Sequence, residues 1–330
     1  MTGPKHSCGV VGVIAPYNVV PALHKSLMII QHRGQESAGI SVYGKYGVET
    51  VKNNGLVQVA LSKEKLGDIS GRVGVGHVRY STTGSTSVMN AQPFTVVTNF
   101  GTVAIAHNGD ITNYKELKDR YMAAGTSFLT DSDSELVSKV FGKYMTQYGD
   151  PFKAMKAMMQ ELDGSYALAI MVDGRLFGVR DPYGLRPLCI GKIDEGYMIV
   201  SESAAIDALR GKFVRDLVPG EIVEIKMDGV VTHIGLIDTK PKAYCMFEWV
   251  YFARPDSILD NREVYAVRKR IGEILARECP ADVDMIMPIP DSGRAHAIGY
   301  SIASGLPYEE GFMKNRFAER TFILPDQSER

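Results

Sequence analysis

Strand-length apolar runs cut by glycine recur through the first two-thirds of this chain, and they limit what it can fold into. Cys8–Ile14 (CGVVGVI), Gly74–Tyr80 (GVGHVRY), Val103–Ala106 (VAIA) and Ser165–Val172 (SYALAIMV) are each bounded by glycine or aspartate turn signals. Runs of this length suit buried strands. Between them, Asp133-Ser134-Glu135 opens a helical run through Leu136, Val137, Val140 and Phe141, with aspartate and serine as natural N-caps. Many strands with few helices favour α+β layers over a doubly wound sheet.

The texture changes near Asp238–Lys242 (DTKPK), a polar stretch with proline that suits a linker. Beyond it, Val264, Val267, Ile271, Ile274 and Leu275 repeat at helical spacing. Val283–Pro290 then reads as a strand, and Ser292-Gly293 opens a second helix through Ala295, Ile298 and Ile302. That succession is the opening of a parallel α/β domain. A chain of 330 residues is long for one core and suits two domains.

Charge and cysteine usage exclude several classes. Lys and Arg (37) nearly cancel Asp and Glu (38), which removes the basic footprint of a general nucleic-acid binder. No apolar run approaches the roughly 18–20 residues of a membrane span, and no long apolar segment follows Met1–Ser7, so a secretory signal is not expected. Cys8, Cys189, Cys245 and Cys279 are far apart with no CxxC pair, poor material for a disulfide framework or a zinc site. A cytoplasmic protein is the expectation.

Chemistry concentrates in a few segments. Cys8 precedes a strand, with Gly9 and Gly12 allowing close backbone approach. A thiol titrates near about 8.5 and needs a base, and no histidine follows it on the strand side. Removal of residues 1–7 would supply one, because the freed α-amine of Cys8 would titrate near about 7.7–8.0. Taken alone, Cys8 also reads as a small buried hydrophobe. Gln31–Gly39 (QHRGQESAG) packs polar residues tightly, and Arg79 stands beside hydroxyls in Gly76–Gly84 (GHVRYSTTG), suited to gripping a carboxylate. Ala106–Asp110 (AHNGD) offers an amide next to a glycine N–H, the makings of an oxyanion hole, and Asp131–Glu135 (DSDSE) offers a carboxylate for an ammonium group. Each also reads as a turn, a satisfied polar core or a helix cap. Together they fit an amino acid with a scissile side-chain carbonyl, glutamine, opened through a thioester.

In this order the segments CGVVGV, QHRGQESAG, GHVRYSTTG, AHNGDITN and SDSE resemble the class II glutamine amidotransferases. The resemblance implies an N-terminal nucleophile hydrolase αββα sandwich over residues 8–240, after a propeptide of residues 1–7. It implies Cys8 as nucleophile, Arg79 and Thr82 on the substrate carboxylate with Tyr80 beside them, Asn108 and Gly109 as the oxyanion hole, and Asp133 on the α-amino group. His32, His77 and His107 carry no assigned role and read as structural. Glucosamine-6-phosphate synthase, asparagine synthetase and glutamate synthase resemble this domain too, so the acceptor is read from residues 241–330.

There Cys245–Ser257, Pro288–Ser292 and Gly311–Ile323 are similar to segments of the amidophosphoribosyltransferase family. That likeness implies an incomplete type I phosphoribosyltransferase α/β domain. The implied reaction passes ammonia from glutamine to 5-phosphoribosyl diphosphate, giving 5-phosphoribosylamine in purine synthesis. Lys314, Arg316 and Arg320 put three cations within seven residues, useful near a diphosphate leaving group. Phe317-Ala318-Glu319 departs from the usual Tyr-Val-Gly of that segment, and Glu319 sets a negative charge among the cations. The family also implies Mg²⁺, with the Ser292 hydroxyl near it, in many members a [4Fe–4S] cluster with its first cysteine near Cys245, and a homo-oligomer. The signature of an apolar strand ending in Asp-Asp-Ser before a glycine-rich turn does not occur. The glutaminase half alone is therefore expected to be intact, and phosphoribosyl transfer is not expected of this chain. A class II enzyme with another acceptor, or a non-catalytic glutamine-binding module, are the competing expectations.

Overall fold

A computed structural model describes residues 8–80 and 87–315. Its contacts divide the chain at Tyr244/Cys245, shortly after the proline-containing stretch at 238–242.

The first unit is built on two antiparallel sheets. One contains β1 (Gly9–Ile14), β2 (Ser37–Gly44), β3 (Gly47–Asn54) and β4 (Val73–Arg79). The other contains β5 (Phe94–Thr98), β6 (Gly101–Ile111), β7 (Gly164–Val172) and β8 (Arg175–Arg180). The chain then returns to the first sheet for β9 (Cys189–Ile193), β10 (Gly196–Val200) and β11 (Lys212–Asp216), and to the second for β12 (Glu221–Lys226) and β13 (Gly229–Ile234). The spatial orders are β11-β9-β10-β1-β4-β2-β3 and β13-β12-β8-β7-β6-β5. β1 is thus the middle strand of its sheet, paired to β10 through Val11–Val200 and to β4 through Gly9–Val78.

Each apolar run is buried on both faces, which explains its lack of polar alternation. Val10 and Ile14 of β1 meet Ala104, Ala106, Ala167 and Ala169 of β6 and β7 in a core between the sheets. Val11 and Val13 point the other way, into a cluster with Leu23, Leu27 and Ile206 from the helices Val20–Ile29 and Ala204–Ala208. On the outer face of the second sheet, Val103, Ile105, Leu168 and Ile170 pack against Leu136, Val140, Phe141, Met155 and Met158 from the helices Asp133–Tyr148 and Pro151–Glu161. Helix, sheet, sheet, helix is the αββα order expected of the sequence.

The second unit carries the helices Val264–Glu278 and Gly293–Ser304. They pack closely where each has a glycine: a Cβ on Gly272 would sit 1.9 Å from the His296 carbonyl oxygen, and one on Gly299 would sit 1.9 Å from that of Lys269. Arg268, fully buried, donates to the carbonyls of Trp249 (2.6 Å) and Ala253 (2.8 Å), fastening the first helix to the segment before it. The expected strand at Val283–Pro290 is corrected. Among the described residues it forms a single parallel bridge, Ile286 to Tyr308, with Met285, Met287 and Ile289 exposed. Pro288 and Pro290 have no N–H to donate, and no neighbouring described strand offers a ladder. No described helix is long and apolar enough to cross a membrane.

Candidate active site

Cys8 lies at the entry to β1, so its backbone is fixed by the middle of a sheet rather than by a loop. Its amide nitrogen donates to Asn108 Oδ1 at 3.2 Å, and its thiol lies against the Tyr80 peptide, 3.5 Å from the nitrogen and 3.7 Å from the oxygen. Burial pushes the thiol upward; the Tyr80 backbone and the Arg79 charge offset this in part, while Asp133 and Glu36 add to it. A thiol in that setting is protonated at neutral pH and needs a base.

β6 delivers the amide side chain. Asn108 is fully buried, and because Oδ1 is taken by Cys8, Nδ2 is left as the donor; among the described residues it has no partner. An orphaned buried N–H of this kind carries a desolvation cost of about 1–3 kcal/mol, which a bound oxyanion would relieve. Gly109 follows directly, and a Cβ there would stand 1.9 Å from the Ser165 carbonyl oxygen and 2.8 Å from His107 Nε2. Only glycine fits.

The substrate-binding candidates gather around the same thiol. Arg79 ends β4, buried and ion-paired with Glu36. Asp133 is the first residue of its helix, with Ser132 as N-cap, and its Oδ2 accepts from the Ile111 amide at 3.2 Å. Asp133, Arg79 and Glu36 all act on the Cys8 thiol electrostatically, so the three charges share one site. Thr82 lies outside the described residues, as do residues 1–7.

The histidines are bound into the frame. His77 Nε2 donates to the His107 carbonyl at 3.0 Å, and His107 Nδ1 is 2.9 Å from Ser134 Oγ. Gln92 closes this network, accepting from the His107 amide (2.8 Å) and donating to Ser134 Oγ (3.0 Å). Burial drives both imidazoles down to about 3, so they are neutral near pH 7. His32 Nε2 meets Glu202 Oε1 at 2.8 Å.

Two residues that sequence reasoning passed over belong here. Arg33 is fully buried, and its Nε donates to the Cys8 carbonyl at 2.9 Å. Its Nη1 pairs with Glu202, which is also fully buried just after β10. Arg33 was visible as a cation inside QHRGQESAG; Glu202 gave only the weaker signal of an acid directly behind the apolar strand GYMIV.

The second unit's candidates are separate from this cluster in sequence. Lys314 Nζ is 3.9 Å from Asp291 Oδ2, Asp291 also pairs with Arg294, and Ser292 precedes the helix Gly293–Ser304 without a side-chain capping bond. Arg316 and Arg320 lie outside the described residues. Cys245 opens this unit, its carbonyl accepting from the Glu248 amide at 3.0 Å. Among the described residues no three His, Cys, Asp or Glu side chains come together to hold a metal. One thiol and one hydroxyl do not make a four-thiolate cluster site or an oxygen cage for Mg²⁺, so neither group fits the described residues alone.

A family model described as a glutamine amidotransferase domain matches residues 77–208. The amidophosphoribosyltransferase of Archaeoglobus fulgidus is 46% identical over 323 residues, covering 97% of this chain and 70% of the relative. This chain belongs to the amidophosphoribosyltransferase family. The Methanocaldococcus jannaschii amidophosphoribosyltransferase is 44% identical, with 98% of this chain and 72% of the relative covered. A solved structure of the glutamine phosphoribosylpyrophosphate amidotransferase of B. subtilis, complexed with ADP and GMP, matches with a TM-score of 0.87 at 34% identity, covering 97% of this chain and 69% of that one. A structure described as the allosteric regulatory enzyme of purine biosynthesis matches at 0.88, with the same identity and coverage. Amidophosphoribosyltransferases are phosphoribosyltransferases with glutamine amidotransferase activity.

Proposed function

We propose that residues 8–244 hydrolyse glutamine with Cys8 as nucleophile, and that the observation carrying this is the Cys8–Asn108 pairing, which joins a partly buried cysteine to a buried, unsatisfied N–H. Loss of residues 1–7 frees the α-amine of Cys8. The amine takes the thiol proton as Sγ attacks the side-chain carbonyl of glutamine. Asn108 Nδ2 and the Gly109 N–H receive the oxyanion. As the tetrahedral species collapses, the amine returns the proton to the leaving nitrogen, so ammonia departs and a thioester remains; water then releases glutamate. Arg79, steadied by Glu36, holds the substrate carboxylate with Tyr80 and Thr82, and Asp133 holds its ammonium.

In the family's reaction the ammonia displaces diphosphate from 5-phosphoribosyl diphosphate to give 5-phosphoribosylamine; Lys314, Arg316 and Arg320 would be the cations beside the leaving group, while the glutaminase half is the part these residues are expected to carry intact. A homo-oligomer is part of the same reading. A cluster or a divalent cation would need donors beyond Cys245 and Ser292.

The test is ammonia release from glutamine by three samples: the processed chain, the chain with residues 1–7 retained, and processed Cys8→Ala. Only the first is expected to turn over. Full turnover by the unprocessed sample would remove the amine from the mechanism.

A further inference from the structure

We propose that Glu202 is a positioning residue for this chemistry: it neutralises Arg33, letting that guanidinium hold the Cys8 backbone without opposing proton uptake by the Cys8 α-amine. The inference rests on the reading of Cys8 given above.

The geometry is a relay through two buried groups, Arg33 and Glu202, to Cys8. Arg33 Nε donates to the Cys8 carbonyl at 2.9 Å, and Arg33 Nη1 and His32 Nε2 share a single oxygen, Glu202 Oε1. Neither Arg33 nor Glu202 is exposed at all. The neighbouring Ser201 ties the same corner to the nucleophile's strand, its Oγ accepting from the Val10 amide at 2.9 Å and its amide donating to the Val10 carbonyl at 3.1 Å. Glu202 therefore stands where it fixes the orientation of Arg33 and, through it, of Cys8.

Charge gives the carboxylate a second task. A guanidinium on the carbonyl of Cys8 is also close to the nitrogen of Cys8, and an uncompensated cation there would disfavour an ammonium. The other charges facing Cys8 are the Arg79–Glu36 pair and Asp133, with His32 acting through Glu202; His77 and His107 are neutral. Removing the Glu202 charge would tip this balance toward positive.

The experiment is the pH dependence of kcat/KM for glutamine hydrolysis by the chain lacking residues 1–7. Glu202→Gln keeps an acceptor for Arg33 but not the charge. Its acid limb is expected to move to lower pH by roughly half a unit or more, with the plateau above the limb lowered several-fold because the base is weaker. Glu202→Asp is expected to return the limb to the wild-type position. A Glu202→Gln limb superimposed on wild type, with only the melting temperature lowered, would overturn the proposal. Should Glu202→Gln not fold, the double replacement Arg33→Gln with Glu202→Gln removes both charges together. Its limb stays at the wild-type position if charge balance is the operative effect, and a displaced limb overturns it. Absence of wild-type turnover would instead count against the underlying Cys8 reading.

Discussion

Asn108 is gripped by the residue it is proposed to serve: the Cys8 amide nitrogen donates to its Oδ1 at 3.2 Å, which leaves Nδ2 as the donor without a partner among the described residues. Replacing Asn108 with Ala removes that donor while the thiol keeps its contacts with the Tyr80 peptide. Steady-state glutaminase assays are expected to show kcat falling by roughly 10²–10³-fold. Cys8 should still be labelled by a small alkylating agent, and loss of labelling along with turnover would point to a collapsed site.

Asp133→Asn tests the ammonium partner. The helix keeps its Ser132 cap, so the fold should survive, and a charge-assisted contact worth about 1.5–3 kcal/mol would be weakened. Glutamine KM is expected to rise by roughly 10–100-fold, with a smaller change in kcat. An unchanged KM would take Asp133 out of the binding site.

The buried histidines make stability depend on pH. His77 and His107 have folded-state values of about 3, well below the reference of about 6.5, so the unfolded chain takes up protons that the folded chain does not. Stability is accordingly full above about pH 6.5 and is lost as pH falls toward 3, by up to about 1.4 kcal/mol per pH unit for each histidine. Denaturant unfolding between pH 4 and 7 should show this slope, and His77→Gln should flatten it by about one proton.

Gly299→Ala probes the second unit. The added methyl would meet the Lys269 carbonyl oxygen at 1.9 Å, so the two helices must part, at a cost of about 1–3 kcal/mol. Thermal unfolding should register it. Glutamine hydrolysis in the same variant is expected to change little, since its proposed residues all precede Tyr244.

Much of this was legible in the residues because it depends on patterns repeated along the chain. The apolar runs around Val10, Ala104 and Ala167 announce doubly buried strands, and Asp133-Ser134-Glu135 announces a helix start that places a carboxylate, although the cap itself is Ser132, one residue earlier. Chemistry that depends on one long-range contact was not legible. Arg33 and Glu202 are 169 positions apart, and nothing local ties them to Cys8. Val283–Pro290 misled for a related reason: an apolar stretch reads as a strand whether or not a partner strand is there to accept it.

Placing Cys8 at the head of the middle strand has a consequence for maturation. Ends of chains ordinarily fray, since few bonds restrain them. Here the residue that would become the new terminus enters a strand laced to β10 on one side and β4 on the other, with Arg33 on its carbonyl and Asn108 on its nitrogen. Cleavage before Cys8 would therefore expose a terminus already seated, and the base would be as well ordered as the core beneath it.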